Sequence, residues 1–242
     1  SGTPVGPLTS KAARDLGLTT DTLVVAGSFD HPAAARSVGV LRPGQLLLSC
    51  GTSWVGFLPH YDRADILKAG LLCDPFLRDR SGPWGGIFSV PYIGRTVDWY
   101  VAHVIAPGEA NSWETFNRAA ADAEPGAAGL AVNLREPPRA PDATRPNIAR
   151  AVMESAVRLL VEKLNGLRRF GFAYEEAVMV GGPSESEVWA GILAEYAGLA
   201  LTRGGRAAGA RGAAMLAGIG AGWYEDEEDA LSRWIHGASH GC

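Results

Sequence analysis

The chain has 242 residues, 47% of them hydrophobic and 20% charged, the composition of a folded globular protein, which excludes disorder as its overall state. Its 22 lysines and arginines against 26 aspartates and glutamates leave a net charge of −4, a poor balance for a nucleic-acid binder. Three scattered cysteines, Cys50, Cys73 and Cys242, exclude a disulfide framework, and no apolar run approaches membrane-spanning length, so a reducing cytoplasm is the expected setting.

In chain order, residues from Ser1 read as an exposed loop, and the start on Ser1 rather than methionine reads as a portion of a longer chain. Thr9 caps a helix that runs to Leu16 and stops at Gly17. Leu23 to Ala26 is a short apolar strand, with Asp30 beyond its C-terminal end. Pro32 to Val38 reads as a helix with proline in its first turn and Gly39 at its end. Gln45 to Cys50 and Trp54 to Leu58 are near-continuous apolar runs joined by Gly51-Thr52-Ser53, the pattern of a buried hairpin. Leu71 to Phe76 reads as a third strand, held to a sheet edge because Pro75 has no amide to donate.

Gly85-Gly86 leads into an aromatic-rich helical pattern over Val97 to Ile105. Ser112 to Ala123 reads as a helix capped by Ser112, and Leu130 to Leu134 as a strand. Pro137, Pro138, Pro141 and Pro146 mark a surface loop. Ile148 to Phe170 carries apolar residues at helical period. Ala177 to Val180 is a buried strand closed by Gly181-Gly182-Pro183, and Ser184 with Glu187 matches a capping box for a helix to Tyr196. Leu199 to Leu201 reads as a strand, Ala207 to Ala221 as a small-residue helix, and the acidic run Glu225 to Asp229 as the start of a last helix, where it suits the helix dipole. Hairpin strands followed by alternating helices and strands predict an α/β fold with helices covering a mixed sheet.

No Walker-type loop and no strand-borne G-x-G-x-x-G occurs. Two glycine turns at strand ends, Gly51-Thr52-Ser53 and Gly181-Gly182-Pro183-Ser184, remain. Glycine lets a backbone approach a bulky anion or a flat base, and nearby amides and hydroxyls can donate to phosphate oxygens. Taken alone, either turn is more often a tight structural turn than a functional one. Asp30 at a strand end reads as chemistry or as the cap of the helix after it.

These pieces together resemble the FGGY carbohydrate kinases. Gly2-x-x-x-Gly6-x-Leu8 and Val25-Ala26-Gly27-Ser28-Phe29-Asp30 resemble the surroundings of that family's catalytic aspartate. Leu48-Ser49-Cys50-Gly51-Thr52-Ser53 resembles its second phosphate motif, and Gly94-x-x-x-Asp98-Trp99 the helix start along the nucleotide. Arg150-Ala151-Val152-Met153-Glu154 resembles its Arg-Ala-x-x-Glu helix. Val180-Gly181-Gly182-Pro183-Ser184-Glu185-Ser186-x-x-Trp189 resembles its adenosine motif, and Gly212 to Gly218 its last core helix. Pro183 stands where many members have a third glycine, and His31 where glutamine or a small residue is common.

The resemblance implies an actin-like ATPase fold of the ribonuclease H or hexokinase type. It implies that residues 1–41 are the tail of a first lobe and 42–242 the second, nucleotide-binding lobe, the Asp-x-Gly-Thr motif of the first lobe being absent here. Asp30 would be the general base toward a sugar or polyol hydroxyl. Gly51, Thr52 and Ser53 would hold the β- and γ-phosphates of ATP, with Mg²⁺ arriving alongside. Gly94 and Asp98 would line one side of the nucleotide, and Gly181, Gly182 and Ser186 the adenosine. The implied partners are a small sugar or polyol, the missing N-terminal lobe and a second copy in a homodimer, with neither nucleic acid nor membrane. A non-catalytic nucleotide-binding or scaffold lobe is the alternative. Gly237-Ala238-Ser239-His240-Gly241 matches a nucleophile elbow in letters only, lacking room for the following helix. His236, His240 and Cys242 read as a frayed terminus rather than a metal clip.

Overall fold

A computed structural model describes residues 1–77 and 82–238. Its centre is a mixed sheet built from β3 (Gly44–Cys50), β4 (Trp54–His60), β5 (Leu72–Asp74), β6 (Trp84–Val90), β7 (Tyr174–Val180) and β8 (Ala200–Gly205), in the order β5-β6-β4-β3-β7-β8. β3, β7 and β8 run parallel, while β3-β4, β4-β6 and β6-β5 pair antiparallel. The α/β class with helices over a mixed sheet is the one expected. Before the sheet lie β1 (Pro4–Pro7), α1 (Ser10–Leu16), β2 (Leu23–Val25) and α2 (Asp30–Ser37). Thr9 caps α1 through the Ala12 amide, and left-handed Gly17 ends it.

The period-2 alternation of the central strands splits the core. Leu46, Leu48, Cys50, Trp54, Leu58 and Phe88 face one side. There they meet α3 (Arg63–Lys68), α4 (Ile93–Tyr100), α5 (Ser112–Ala121), the 25-residue α6 (Arg145–Arg169) and α7 (Glu187–Ala197). Leu47, Phe57, Ile87 and Val180 face the other, under α2 and α8 (Ala208–Gly220). α9 (Glu227–Ala238) packs on α8 through Ala230, Met215 and Ile219. α2 and α8 cross closely because Gly212 has no side chain: a Cβ there would stand 2.9 Å from the Ala33 Cα.

Six local expectations are corrected. Pro4–Pro7 is a strand, paired antiparallel with β2, with a proline at each end. β6 occupies residues read only as an approach to a helix. Its glycines hide it from a propensity reading, yet they are needed there. Phe88 lies directly across Gly56, and a Cβ on Gly85 would run into the Phe57 ring. Leu130–Leu134 forms no strand; Leu134 is buried, and the Val132 amide is taken by Ser155 Oγ rather than by a ladder. Pro146 belongs to the first turn of α6, which Thr144 caps. Neither expected cap serves: Ser112 lies inside α5, and the cap of α7 is Ser186, whose Oγ accepts from the Trp189 amide. Among the described residues no helix is long and apolar enough to cross a membrane.

Candidate active site

The C-terminal ends of β3, β7 and β8 and the start of β4 meet at one end of the sheet. The register fixes this: Cys50 opposes Trp54, Ser49 lies beside Val180, and Val180 beside Gly205. Two glycine contacts draw the connecting turns together. A Cβ on Gly94 would stand 2.6 Å from the Thr52 Cα and 2.7 Å from its carbonyl oxygen. Gly181, at φ 96°, would place a Cβ 3.0 Å from the Cys50 carbonyl carbon. Only glycine permits such backbone-on-backbone approach. Tyr92, left-handed at φ 72°, turns the chain so that the first turn of α4 lands on residues 51–52. A bulky residue in that conformation costs about 1–3 kcal/mol.

A cavity of about 660 Å³ opens here, lined by Gly51, Thr52, Gly94, Asp98, Gly182 and further residues of β4, α5 and α7. Its floor is aromatic. Trp54 and Trp189 are buried and meet edge to face at 5.3 Å between ring centroids, and Trp113 stands half-exposed at the rim. Two buried polar atoms of lining residues, Asn117 Oδ1 and Trp189 Nε1, have no hydrogen-bond partner among the described residues. Arg206 lines the mouth and pairs with Glu185 at 2.5 Å. The amides of Thr52 and Ser53 donate to nothing among the described residues. Partial burial raises the Asp98 carboxyl above the ordinary range, and full burial pushes the Cys50 thiol far up, so Cys50 is a neutral floor atom.

The expected site residues fall into three groups. Gly51, Thr52, Gly94, Asp98 and Gly182 share the cavity, with Ser53 on the same turn and Gly181 bracing it from beneath. Ser186 is spent on capping α7 and is 8% exposed; Pro183 and Glu185 line the cavity in its neighbourhood. Asp30 is not a lining residue. It begins α2 on the second face of the sheet, its side chain 70% exposed, and its Oδ1 accepts from the His31 amide at 2.9 Å. Its neighbours Phe29 and His31 border a separate hollow with Val55 and Ser89. Val55 and Ser89 pair one step inside Trp54 and Val90, so Asp30 stands at the same end of the sheet as the cavity. Ser239, His240, Gly241 and Cys242 lie outside the described residues, and among those described no cluster of three metal-ligating side chains occurs.

Sequence reasoning missed Trp113, Glu114, Asn117 and Arg206 and gave Trp189 no role. The available signal was the i, i+4 spacing of Trp113 and Asn117, which puts both on one face of α5.

The family model for the C-terminal domain of the FGGY family of carbohydrate kinases matches residues 46–221. A xylulose kinase of Staphylococcus epidermidis is 28% identical over 96% of this chain and 49% of its own length. An autoinducer-2 kinase of Klebsiella pneumoniae is 27% identical over 93% of this chain and 47% of its own. The crystal structure of xylulose kinase from Rhodospirillum rubrum superposes with a TM-score of 0.76 at 24% identity, over 96% of this chain and 49% of that one. The chain thus spans about half the length of the curated relatives it matches, and its fold is theirs, the actin-like ATPase fold.

Proposed function

Because the chain belongs to the FGGY family of carbohydrate kinases, we propose that it supplies the nucleotide-binding half of an ATP-dependent sugar or polyol kinase, with Asp30 as general base. One observation carries this reading: the glycine contacts of Gly94 and Gly181 hold the Thr52 turn against an aromatic-floored cavity. A flat base suits Trp54, Trp113 and Trp189, and the unpaired Asn117 Oδ1 and Trp189 Nε1 suit a ligand that brings both donors and acceptors. The open space over Gly182, with nothing within 4 Å of its Cβ position, admits a ribose at backbone distance. ATP supplies a transferable phosphoryl group, and Mg²⁺ travels with it.

The chain's own residues then divide the work. The free amides of Thr52 and Ser53, with the Thr52 hydroxyl, donate to the β- and γ-phosphate oxygens and hold the charge that spreads during transfer. Asp98 accepts from ribose hydroxyls. Asp30 accepts the proton of the acceptor hydroxyl while its oxygen bonds to the γ-phosphorus and the bond to ADP breaks. Residues 1–41 form the tail of a first lobe that carries Asp30, and α2 is the seam against the sheet. Exposed Val5, Leu16, Leu18, Leu23 and Val24 support this, as an apolar surface awaiting the rest of that lobe. Closure of the two lobes over the acceptor excludes water.

The test uses the full-length protein containing this chain, with ATP, Mg²⁺ and a panel of ketoses and polyols beginning with xylulose. Asp30→Asn is expected to lower kcat about 100- to 10,000-fold with nucleotide affinity unchanged. Undiminished transfer by that variant, or nucleotide binding with no transfer to any member of the panel, overturns the reading; the latter marks a scaffold lobe.

A further inference from the structure

The most heavily bonded side chain near the candidate base is a buried arginine. Arg36, in the second turn of α2, is 0% exposed. Its Nη1 donates to Ser28 Oγ and to the Pro32 carbonyl, each at 3.1 Å. Its Nη2 donates to the Phe76 carbonyl and, at 2.7 Å, to Ser1 Oγ. Its Nε donates to Glu227 Oε1 at 3.1 Å, and the Phe76 ring lies 4.6 Å from Cζ. Glu227 opens α9 and is itself mostly buried, at 12% side-chain exposure.

Two of these bonds bracket Asp30. Ser28 lies two residues before it and Pro32 two residues after, and a single nitrogen of Arg36 holds both. The cap residue of α2, Phe29, makes no side-chain cap bond of its own. A planar guanidinium with five fixed donors sets the geometry of the groups it holds, which a lysine cannot do. Burial works against the Arg36 charge and prevails, and Glu227 and Asp74 counter only part of it.

Resting on the assignment of Asp30 as base, we propose that Arg36 is a positioning residue for Asp30 and that Glu227 of α9 is its counter-ion, so that the last described helix sets the aim of the catalytic carboxylate. Without this clamp the 28–32 turn can relax and carry the carboxylate off line. A displacement of about 1 Å costs roughly 100-fold in rate.

The test compares Arg36→Lys, Glu227→Gln, Ser28→Ala and Asp30→Asn in the full-length kinase, reading kcat, acceptor KM, nucleotide affinity by tryptophan fluorescence, and Tm. Arg36→Lys and Glu227→Gln are expected to lower kcat about 10- to 100-fold well below their Tm, with nucleotide affinity and acceptor KM held, and Ser28→Ala to lower it less. Unchanged kcat in folded variants makes the clamp purely structural and overturns the proposal. A parallel fall of kcat, nucleotide affinity and Tm does the same. Should Arg36→Lys fail to fold, Glu227→Gln and Ser28→Ala decide the matter by the same criteria. Asp30→Asn separates the two levels. If it abolishes transfer while the clamp variants keep it, only the clamp falls; if it retains transfer, the base assignment falls and takes the clamp with it.

Discussion

Gly94 and Thr52 meet backbone to backbone: a side chain on the first would stand 2.6 Å from the Cα of the second. No flexible group is there to give way, since the opposing atoms are main chain. Gly94→Ala therefore has to move either α4 or the 51–53 turn, and overpacking of this kind costs about 1–3 kcal/mol. Nucleotide affinity should fall by an order of magnitude or more, measurable by titration calorimetry. Gly191→Ala, at an exposed helical position of α7 with nothing within 4 Å of its Cβ site, serves as control. Equal affinity in Gly94→Ala and the native protein would show that the contact does not shape the site.

Asn117 carries a different signature. Its buried, unpartnered Oδ1 costs the free protein about 1–3 kcal/mol. If a nucleotide completes it, Asn117→Leu should raise the Tm of the free protein and weaken nucleotide binding together. A variant that gains stability and binds as before would remove Asn117 from the site.

Glu154 links α6 to the turn after α5. Burial pushes its carboxyl up, but the Arg150 guanidinium at 2.8 Å and the Gly126 amide at 2.9 Å outweigh burial and hold it below its ordinary range. A depressed carboxylate contributes stability that is complete above the unfolded value, about 4.3, and that is lost as pH falls through the lower folded value. Glu154→Gln should flatten acid unfolding below about pH 4 and lower stability at neutral pH by about 1–3 kcal/mol. The loss should be felt first in the turn it anchors, where Ala127 and Ala128 sit at φ 50° and 54°. An unchanged acid limb would contradict this.

Tyr174 works on the opposite side of the pH scale. Its hydroxyl is desolvated and donates to the Leu164 carbonyl at 2.5 Å, and its ionisation is pushed up to about 12. The neutral form is the one the fold favours, so its contribution is complete below the unfolded value near about 10 and is lost as pH rises toward 12. Tyr174→Phe should lower stability at pH 8 by about 1 kcal/mol and remove that part of the alkaline decline. Alkaline unfolding identical to the native protein would refute the assignment.

The glycine-punctuated hairpin at Gly51, the caps at Thr9 and Gly17, the long amphipathic α6 and the strand before Gly181 were all legible in the sequence, because each is a local pattern with a local cause. β6 and β1 were not, for glycines and prolines suppress strand propensity, and only partners across the sheet, Phe57 over Gly85 and β2 beside β1, make those strands stable. Residues 130–134 erred the other way: an apolar run without a neighbouring edge stays irregular.

By itself the sequence determined the fold class, the family and the five cavity residues from Gly51 to Gly182, since glycine turns at strand ends and the order of motifs are properties of the chain read in one dimension. Only the tertiary structure decided that Ser186 caps a helix, that Asp30 lies on the opposite face from the aromatic floor, and that Trp113, Asn117 and Arg206 join the cavity. Those facts depend on which groups are left over once helices are capped, faces buried and charges paired, and that remainder does not exist until the chain has closed on itself.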